Sequence, residues 1–179
     1  MNDLAPIKSF AYEEIMRKIY TLVRLKKYKK ALDEMLVENS FKLRPPYKID
    51  ANQSWYTIGD IYYQMANFRD AIKAFRRALR SDPNDMQAYM AIGNSYSDLG
   101  RASMAEKYFR KALFIDDQYR PVKFNLANSL FDQKRFDEAI EYYREVSTDA
   151  NDDLSVKAKS MIKMSRTHKT NARKPQKKP

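Results

Sequence analysis

The stretch Trp55-Tyr56-Thr57-Ile58-Gly59-Asp60-Ile61-Tyr62, continued by Ala71, Phe75, Ala78 and Pro83, decides how this chain is read. Trp55, Ile58, Gly59 and Tyr62 fall at i, i+3, i+4 and i+7, one face of a helix. Ala71, Phe75, Ala78 and Leu79 fall at i, i+4, i+7 and i+8, one face of a second. Ala66-Asn67-Phe68 is too short to be anything but a tight connection. Asp82-Pro83-Asn84-Asp85 supplies a helix stop and the cap of a following helix. Small residues at 59, 71 and 78 let two helices approach closely, and the rings of Trp55, Tyr62 and Phe75 fill the space around them.

The same set recurs at a step of 34 residues. Trp55 maps to Tyr89, Ile58 to Ile92 and Leu126, Gly59 to Gly93 and Ala127, and Tyr62 to Tyr96 and Leu130. Ala71 maps to Ala105 and Ala139, Phe75 to Phe109 and Tyr143, and Ala78 to Ala112 and Val146. A single helix pair cannot bury its apolar face alone, so a repeat of this kind has to stack on its neighbours.

This register resembles the tetratricopeptide repeat (TPR) family, whose unit reads W-x-x-L-G-x-x-Y, then A, F, A and P. Residues 52–85 fill every slot. Residues 86–119 place Asp117 where Pro is expected. Residues 120–153 lack the aromatic, at Lys123, and the Pro, at Asn151. The resemblance implies an all-α, right-handed superhelical solenoid of antiparallel helix pairs. Residues 1–51 read as a degenerate helical repeat and a loop with Pro45 and Pro46. In that repeat Tyr28, Ala31 and Met35 are in register, its start lies near Tyr12, and Lys18 and Glu38 break the pattern. Asp50 and Gln53 form a capping-box sequence before the next helix. Residues 154–166 read as a capping helix, with Leu154, Ala158, Met161 and Ile162 facing inward and Lys159, Lys163 and Arg166 outward. From Thr167 to Pro179 nothing apolar anchors the chain, which predicts a disordered basic tail.

The composition excludes several classes. There is no Cys and one His, so Cys-ligated zinc, thiol chemistry and two-His metal motifs are out. Three scattered Gly leave no phosphate-cradling loop. His168 has no packed shell to orient it in a triad, and Glu13-Glu14 and Asp152-Asp153 read as helix N-terminal charges. No catalytic residue, cofactor or metal ligand is expected. No stretch is long and apolar enough to span a membrane, and the N-terminus lacks a signal-peptide pattern, so the expectation is a cytoplasmic protein. The net charge of +11 is uneven: residues 52–153 carry −2, residues 1–51 carry +4 and residues 154–179 carry +9.

In TPR proteins, repeat positions 2, 5, 9 and 12 of the first helix face a groove. The resemblance therefore implies a partner-binding surface made of Tyr56, Asp60, Tyr63, Met90, Asn94, Phe124, Asn128 and Phe131. Gln53, Gln87, Ser97 and Pro121 hold the remaining positions. Aromatics and Met supply adaptable apolar contact, and Asn pairs with peptide N–H and C=O together. Asn125 with Asn128 is similar to the asparagine-rich first helices of TPR glycosyltransferases and scaffolds, which bind peptide backbone. The carboxylate clamp of chaperone-binding TPR domains is not matched: counted from residue 52, Tyr56, Phe124 and Asn128 replace its cations and only Asn94 fits, Asp60 replacing the other Asn; counted from residue 86, Asn94 and Asn128 fit but Met90, Ala158 and Ile162 replace its cations.

The leading expectation is a non-enzymatic adaptor, scaffold or chaperone-like module that holds a protein or peptide segment. A small cytosolic secretion chaperone is a narrower version. The alternative is an assembly factor docking on RNA, ribosome or anionic membrane through its basic ends. Self-association and filling of the groove by the chain's own ends stay open.

Overall fold

A computed structural model describes residues 4–148 and 152–172, all helical apart from turns, one 3-10 segment and one isolated bridge. The helices are α1 (Leu4–Arg24), α2 (Tyr28–Met35), α3 (Ala51–Gln64), α4 (Phe68–Ser81), α5 (Met86–Asp98), α6 (Ala102–Ile115), α7 (Arg120–Asp132), α8 (Phe136–Val146) and α9 (Asp153–Ala172). The chain divides into two compact units, Met1–Ala91 and Ile92–Pro179, the division falling within α5.

In the first unit α1 and α2 form a helix pair whose backbone begins earlier than Tyr12. Pro6 lies in the opening turn of α1, where its missing N–H costs no helical bond. Tyr12, Met16, Ile19 and Leu22 of α1 and Ala31, Leu32 and Met35 of α2 are buried in one core with Trp55, Ile58 and Ile61 of α3 and Ala74 and Ala78 of α4. Lys18, out of register in the sequence, sits at the surface and pairs with Glu34 of α2 at 2.9 Å. The connecting loop is built rather than loose. Leu36 and Leu43 form an antiparallel bridge, and Pro45–Lys48 make a 3-10 turn with Tyr47 buried. Phe41 stacks on Trp55 at 5.1 Å and on Tyr62 at 6.0 Å.

Asp50 caps α3 by accepting from the Gln53 N–H at 2.9 Å. The Gln53 side chain turns to the Tyr20 hydroxyl at 3.2 Å, so only half of the box forms. The Tyr12 hydroxyl bonds the Ser54 hydroxyl at 2.9 Å, tying α1 to α3, and burial raises its pKa to about 12.

In the second unit, Gly93 of α5 lies against the ring of Phe109 of α6, while Leu126 and Leu130 of α7 and Ala139, Tyr143 and Val146 of α8 are fully buried. Arg120, at the start of α7, closes the far end. Its guanidinium donates to both carboxylate oxygens of Asp152, to the Val146 carbonyl and to the Ser155 hydroxyl. Asp152 in turn caps α9 by accepting from the Ser155 N–H at 2.7 Å.

The C-terminal reading needs correction. Helix α9 continues six residues past Arg166, so Thr167–Ala172 is helical and not disordered. The cause is two contacts the sequence does not advertise. The His168 ring lies edge-on to Phe131 at 5.4 Å and stacks on Phe136 at 5.9 Å, and Lys169 pairs with Asp137. The rest of the expected tail, residues 173–179, lies outside the described residues. The buried face of α9 is also narrower than expected: Ser155, Ala158 and Ser165 are buried, whereas Met161 and Ile162 are half-exposed.

Candidate functional site

The repeat turn that places each first helix has one geometry throughout. Lys26, Ala66, Gly100 and Lys134 all take positive φ, at 55°, 57°, 68° and 62°. In each, the next residue's N–H reaches back to a carbonyl five residues earlier, as in Asn67 to Tyr62 and Arg135 to Leu130, at 2.9 Å in both. This is a Schellman closure, which satisfies the last carbonyls of the first helix and reverses the chain.

That turn and the packing register together present one face of α3 and one face of α7. On α3, Tyr56, Asp60 and Tyr63 are spaced i, i+4 and i+7, and all three are half-buried. On α7, Phe124, Asn128 and Phe131 are likewise spaced and half-buried. Met90 and Asn94 of α5 are half-buried too, and fall on either side of the division between the units.

The rings on these faces are not freestanding. Tyr56 packs on Phe75 at 5.4 Å and Tyr63 on Phe68 at 5.4 Å, both from α4. Phe124 packs on Tyr143 at 5.6 Å and Phe131 on Phe136 at 5.3 Å, both from α8. Each first-helix ring is thus held at an angle by a second-helix ring, a geometry that fixes its rotamer and leaves one edge open. Phe131 also meets the His168 ring, at 5.4 Å.

The polar members are partly engaged. Asn128 accepts from the Tyr143 hydroxyl at 2.6 Å through its side-chain carbonyl oxygen. Burial holds the Tyr143 pKa well above its usual value. Asn125 donates to the Asn94 carbonyl oxygen at 3.0 Å, joining α7 to α5. Asp60 accepts from Gln64 of its own helix at 2.6 Å. Asp132, one turn beyond Asn128, has its carboxyl pushed up by burial.

A carboxylate network braces the back of the second unit. Glu106 of α6 accepts from Arg110, from Arg135 at 2.7 Å and from Gln133 at 2.8 Å. Burial alone would raise its pKa, but the bonds from Gln133, Arg110 and Arg135 outweigh burial and lower it. Sequence reasoning missed this cluster and missed Phe41. The signal for Phe41 was present: it is the one aromatic between Asn39 and Arg44, placed just before the repeat that carries the only Trp. Among the described residues no group of three or more His, Asp or Glu side chains gathers as a metal site, and no helix is long and apolar enough to cross a membrane.

Stacked helix pairs with a recurring turn, a small residue opposite a ring, and half-buried aromatic faces on α3 and α7 define a helical-repeat protein. The tetratricopeptide repeat family matches residues 56–121 and again 121–148, together more than half of the chain, and the chain belongs to that family. No curated protein matches it in sequence.

Solved structures match it in fold. The type III secretion chaperone SycD of Yersinia enterocolitica, in complex with a peptide of the translocator YopD, is 21% identical with a TM-score of 0.62 over 67% of this chain and 95% of that one. The first TPR domain of Spaghetti (RPAP3), bound to the HSP90 peptide SRMEEVD, is 16% identical with a TM-score of 0.62 over 67% and 94%. MamA is 15% identical with a TM-score of 0.64 over 87% and 81%.

Proposed function

We propose that the chain is a non-enzymatic protein-interaction module of the cytoplasm, whose α3 face and α7 face are each a binding surface for an extended or helical segment of a partner protein. The observation that carries this is the paired-ring geometry. Tyr56, Tyr63, Phe124 and Phe131 are each backed by a second-helix ring, yet each is only half-buried. Pre-oriented, half-buried rings beside the half-buried amide of Asn128 suit apolar side chains and peptide backbone. The side chains on these faces are aromatic rings, the amide of Asn128 and the carboxylate of Asp60, a set suited to binding.

The fold shared with a TPR domain that binds an HSP90 peptide does not extend to this surface. Tyr56, Asp60, Phe124 and Asn128 offer no cation to a partner's carboxylate. A small secretion chaperone is the narrower form of the reading, supported by the fold match to SycD, which covers nearly all of that chain.

Peptides selected from a random display library against the whole protein test the proposal. The expected result is that they perturb amide signals of α3 and α7, bind almost independently of salt between 50 and 300 mM (roughly the range over which exposed charge pairing is screened out), and lose about tenfold or more in affinity with Tyr63→Ala or Asn128→Ala. Selected peptides that perturb other helices, or that dissociate as salt rises, defeat it.

A further inference from the structure

Residues 52–85 carry five cations, and every one of them is on α4: Arg69, Lys73, Arg76, Arg77 and Arg80. Their spacing of i, i+4, i+7, i+8 and i+11 confines them to one stripe about 16 Å long. Asp70 is the only acid on the helix, and it is bound to Lys73 at 2.7 Å. The segment's small net charge hides this stripe, because its other acids sit on α3 and in the loop after α4. Like charges three and four apart weaken a helix, so a stripe of this kind carries a cost to the helix that bears it.

Four of the five cations, Lys73, Arg76, Arg77 and Arg80, line a hollow of about 350 Å³ with Phe41, and no acid lines it. Its floor is rigid. The Arg77 guanidinium lies against the stacked pair Phe41 and Trp55, 4.9 Å and 4.7 Å from their ring centres, and donates to the Phe41 carbonyl. Its rim, Lys73, Arg76 and Arg80, is exposed.

We propose that this hollow on α4 docks a phosphorylated segment of a partner protein. Arginines dominate the stripe, and a guanidinium pairs with phosphate oxygens through two parallel bonds. A held charge at the floor with exposed cations around it is the arrangement Arg clusters use to recognise a phosphorylated side chain. A nucleic-acid strand fits less well. Its bases need a free ring to stack on, and the Phe41 ring already lies on Trp55 and Arg77. A lipid surface fits less well too, since it needs apolar side chains to insert and the hollow's only apolar residue is the half-buried Phe41. None of these residues belongs to the α3 and α7 faces, so the site stands or falls independently of the peptide-binding reading.

The full-length protein, labelled at its arginine Nε, is titrated at physiological salt with sodium pyrophosphate and with a Gly-Ser peptide carrying two phosphoserines four residues apart. The expected result is saturable shifts of the Arg76 and Arg80 Nε–H signals, binding of the doubly phosphorylated peptide at least tenfold tighter than its unphosphorylated form, and loss of at least tenfold with R76A/R80A. K107A/K111A on α6 should change nothing. Both substituted arginines are exposed, so the variant should melt with the wild type. Should it not, R80Q and the wild-type signal shifts decide the matter. Equal shifts with sodium chloride at matched ionic strength, unchanged binding by R76A/R80A, or tighter competition by poly(U) or phosphatidylserine vesicles than by the phosphopeptide would each overturn the proposal.

Discussion

The ring of Phe75 occupies the space that a side chain on Gly59 would need: a β-carbon built there would stand 2.5 Å from the Phe75 Cε1. Phe109 meets Gly93 in the same way in the next repeat. Gly59 sits mid-helix, where replacing Gly by Ala ordinarily adds about 1 kcal/mol of helix stability. Here the clash decides the sign, because Phe75 is itself 2% exposed and has no room to retreat. Gly59→Ala should therefore lower stability by about 1–3 kcal/mol in urea unfolding. Combining it with Phe75→Leu should recover part of that loss. Additive losses in the double variant would show that the two residues do not share the site.

The third repeat reverses the experiment. Ala127 takes the glycine's place, and the ring opposite belongs to Tyr143, whose hydroxyl is held by Asn128 at 2.6 Å. Ala127 is fully buried without a recorded clash, so Ala127→Gly gains no relief and loses helix propensity. The expected change is a loss of about 1 kcal/mol or more, read as a shift of the urea midpoint at constant slope.

The turns give a third prediction. Ala66 and Lys134 hold φ of 57° and 62° with a β-carbon, whereas Gly100 holds 68° without one. An L-residue in this region carries a penalty of about 1–2 kcal/mol, partly offset because Gly is more disordered when unfolded. Ala66→Gly and Lys134→Gly should each raise stability by a few tenths to about 1 kcal/mol. Gly100→Ala should lower it by about 1 kcal/mol, and since a β-carbon there meets nothing within 4 Å, that loss is backbone strain alone. A rise in stability for Gly100→Ala would contradict the assignment.

What the sequence made legible was the part that repeats. Ala71, Ala105 and Ala139, and Phe75, Phe109 and Tyr143, recur at one spacing because each copy solves the same packing problem, and all are buried. The features that escaped are single events with no second copy to reveal them. Phe41 docks on Trp55 from a loop, Glu106 gathers Arg110, Arg135 and Gln133, and His168 returns to Phe131. The candidate residues of α3 and α7 were legible by position, but not the rings behind them. Periodicity states which residues face inward within a helix and is silent on which neighbouring side chain touches an outward one.

The link between Arg120 and Asp152 makes the docking of α9 sensitive to acid. Asp152 is held well below the usual carboxylate range, first by the Arg120 guanidinium and then by the Ser155 N–H. A depressed folded pKa contributes stability above the unfolded value, near 3.9, and that contribution is lost as pH falls toward the folded pKa. Amide exchange in α9 should therefore accelerate below about pH 4 ahead of α7 and α8. Asp152→Asn should abolish that acid step and leave α9 less protected at neutral pH. If α9 in Asp152→Asn still responds to acid as the wild type does, the pair is not the cause.

His168 and Lys169 act together as a strap over the end of α7. His168 covers one edge of Phe131, and Lys169 fixes the helix by its pair with Asp137 of α8. On the peptide-binding reading, the strap occupies surface that a partner segment would otherwise use. His168→Ala with Lys169→Ala should therefore raise the affinity of α7-directed peptides severalfold. The ion pair is solvent-facing, and Asp137 keeps 68% of its side chain exposed, so salt should screen its share of the effect. The two substitutions should consequently matter more at low salt than at about 300 mM, where the screening length has fallen to roughly 6 Å. Helix content should change little, since Arg120, Asp152 and Ser155 still anchor the start of α9. Affinity that falls or stays fixed while α9 remains folded would show that Phe131 is core and not contact surface.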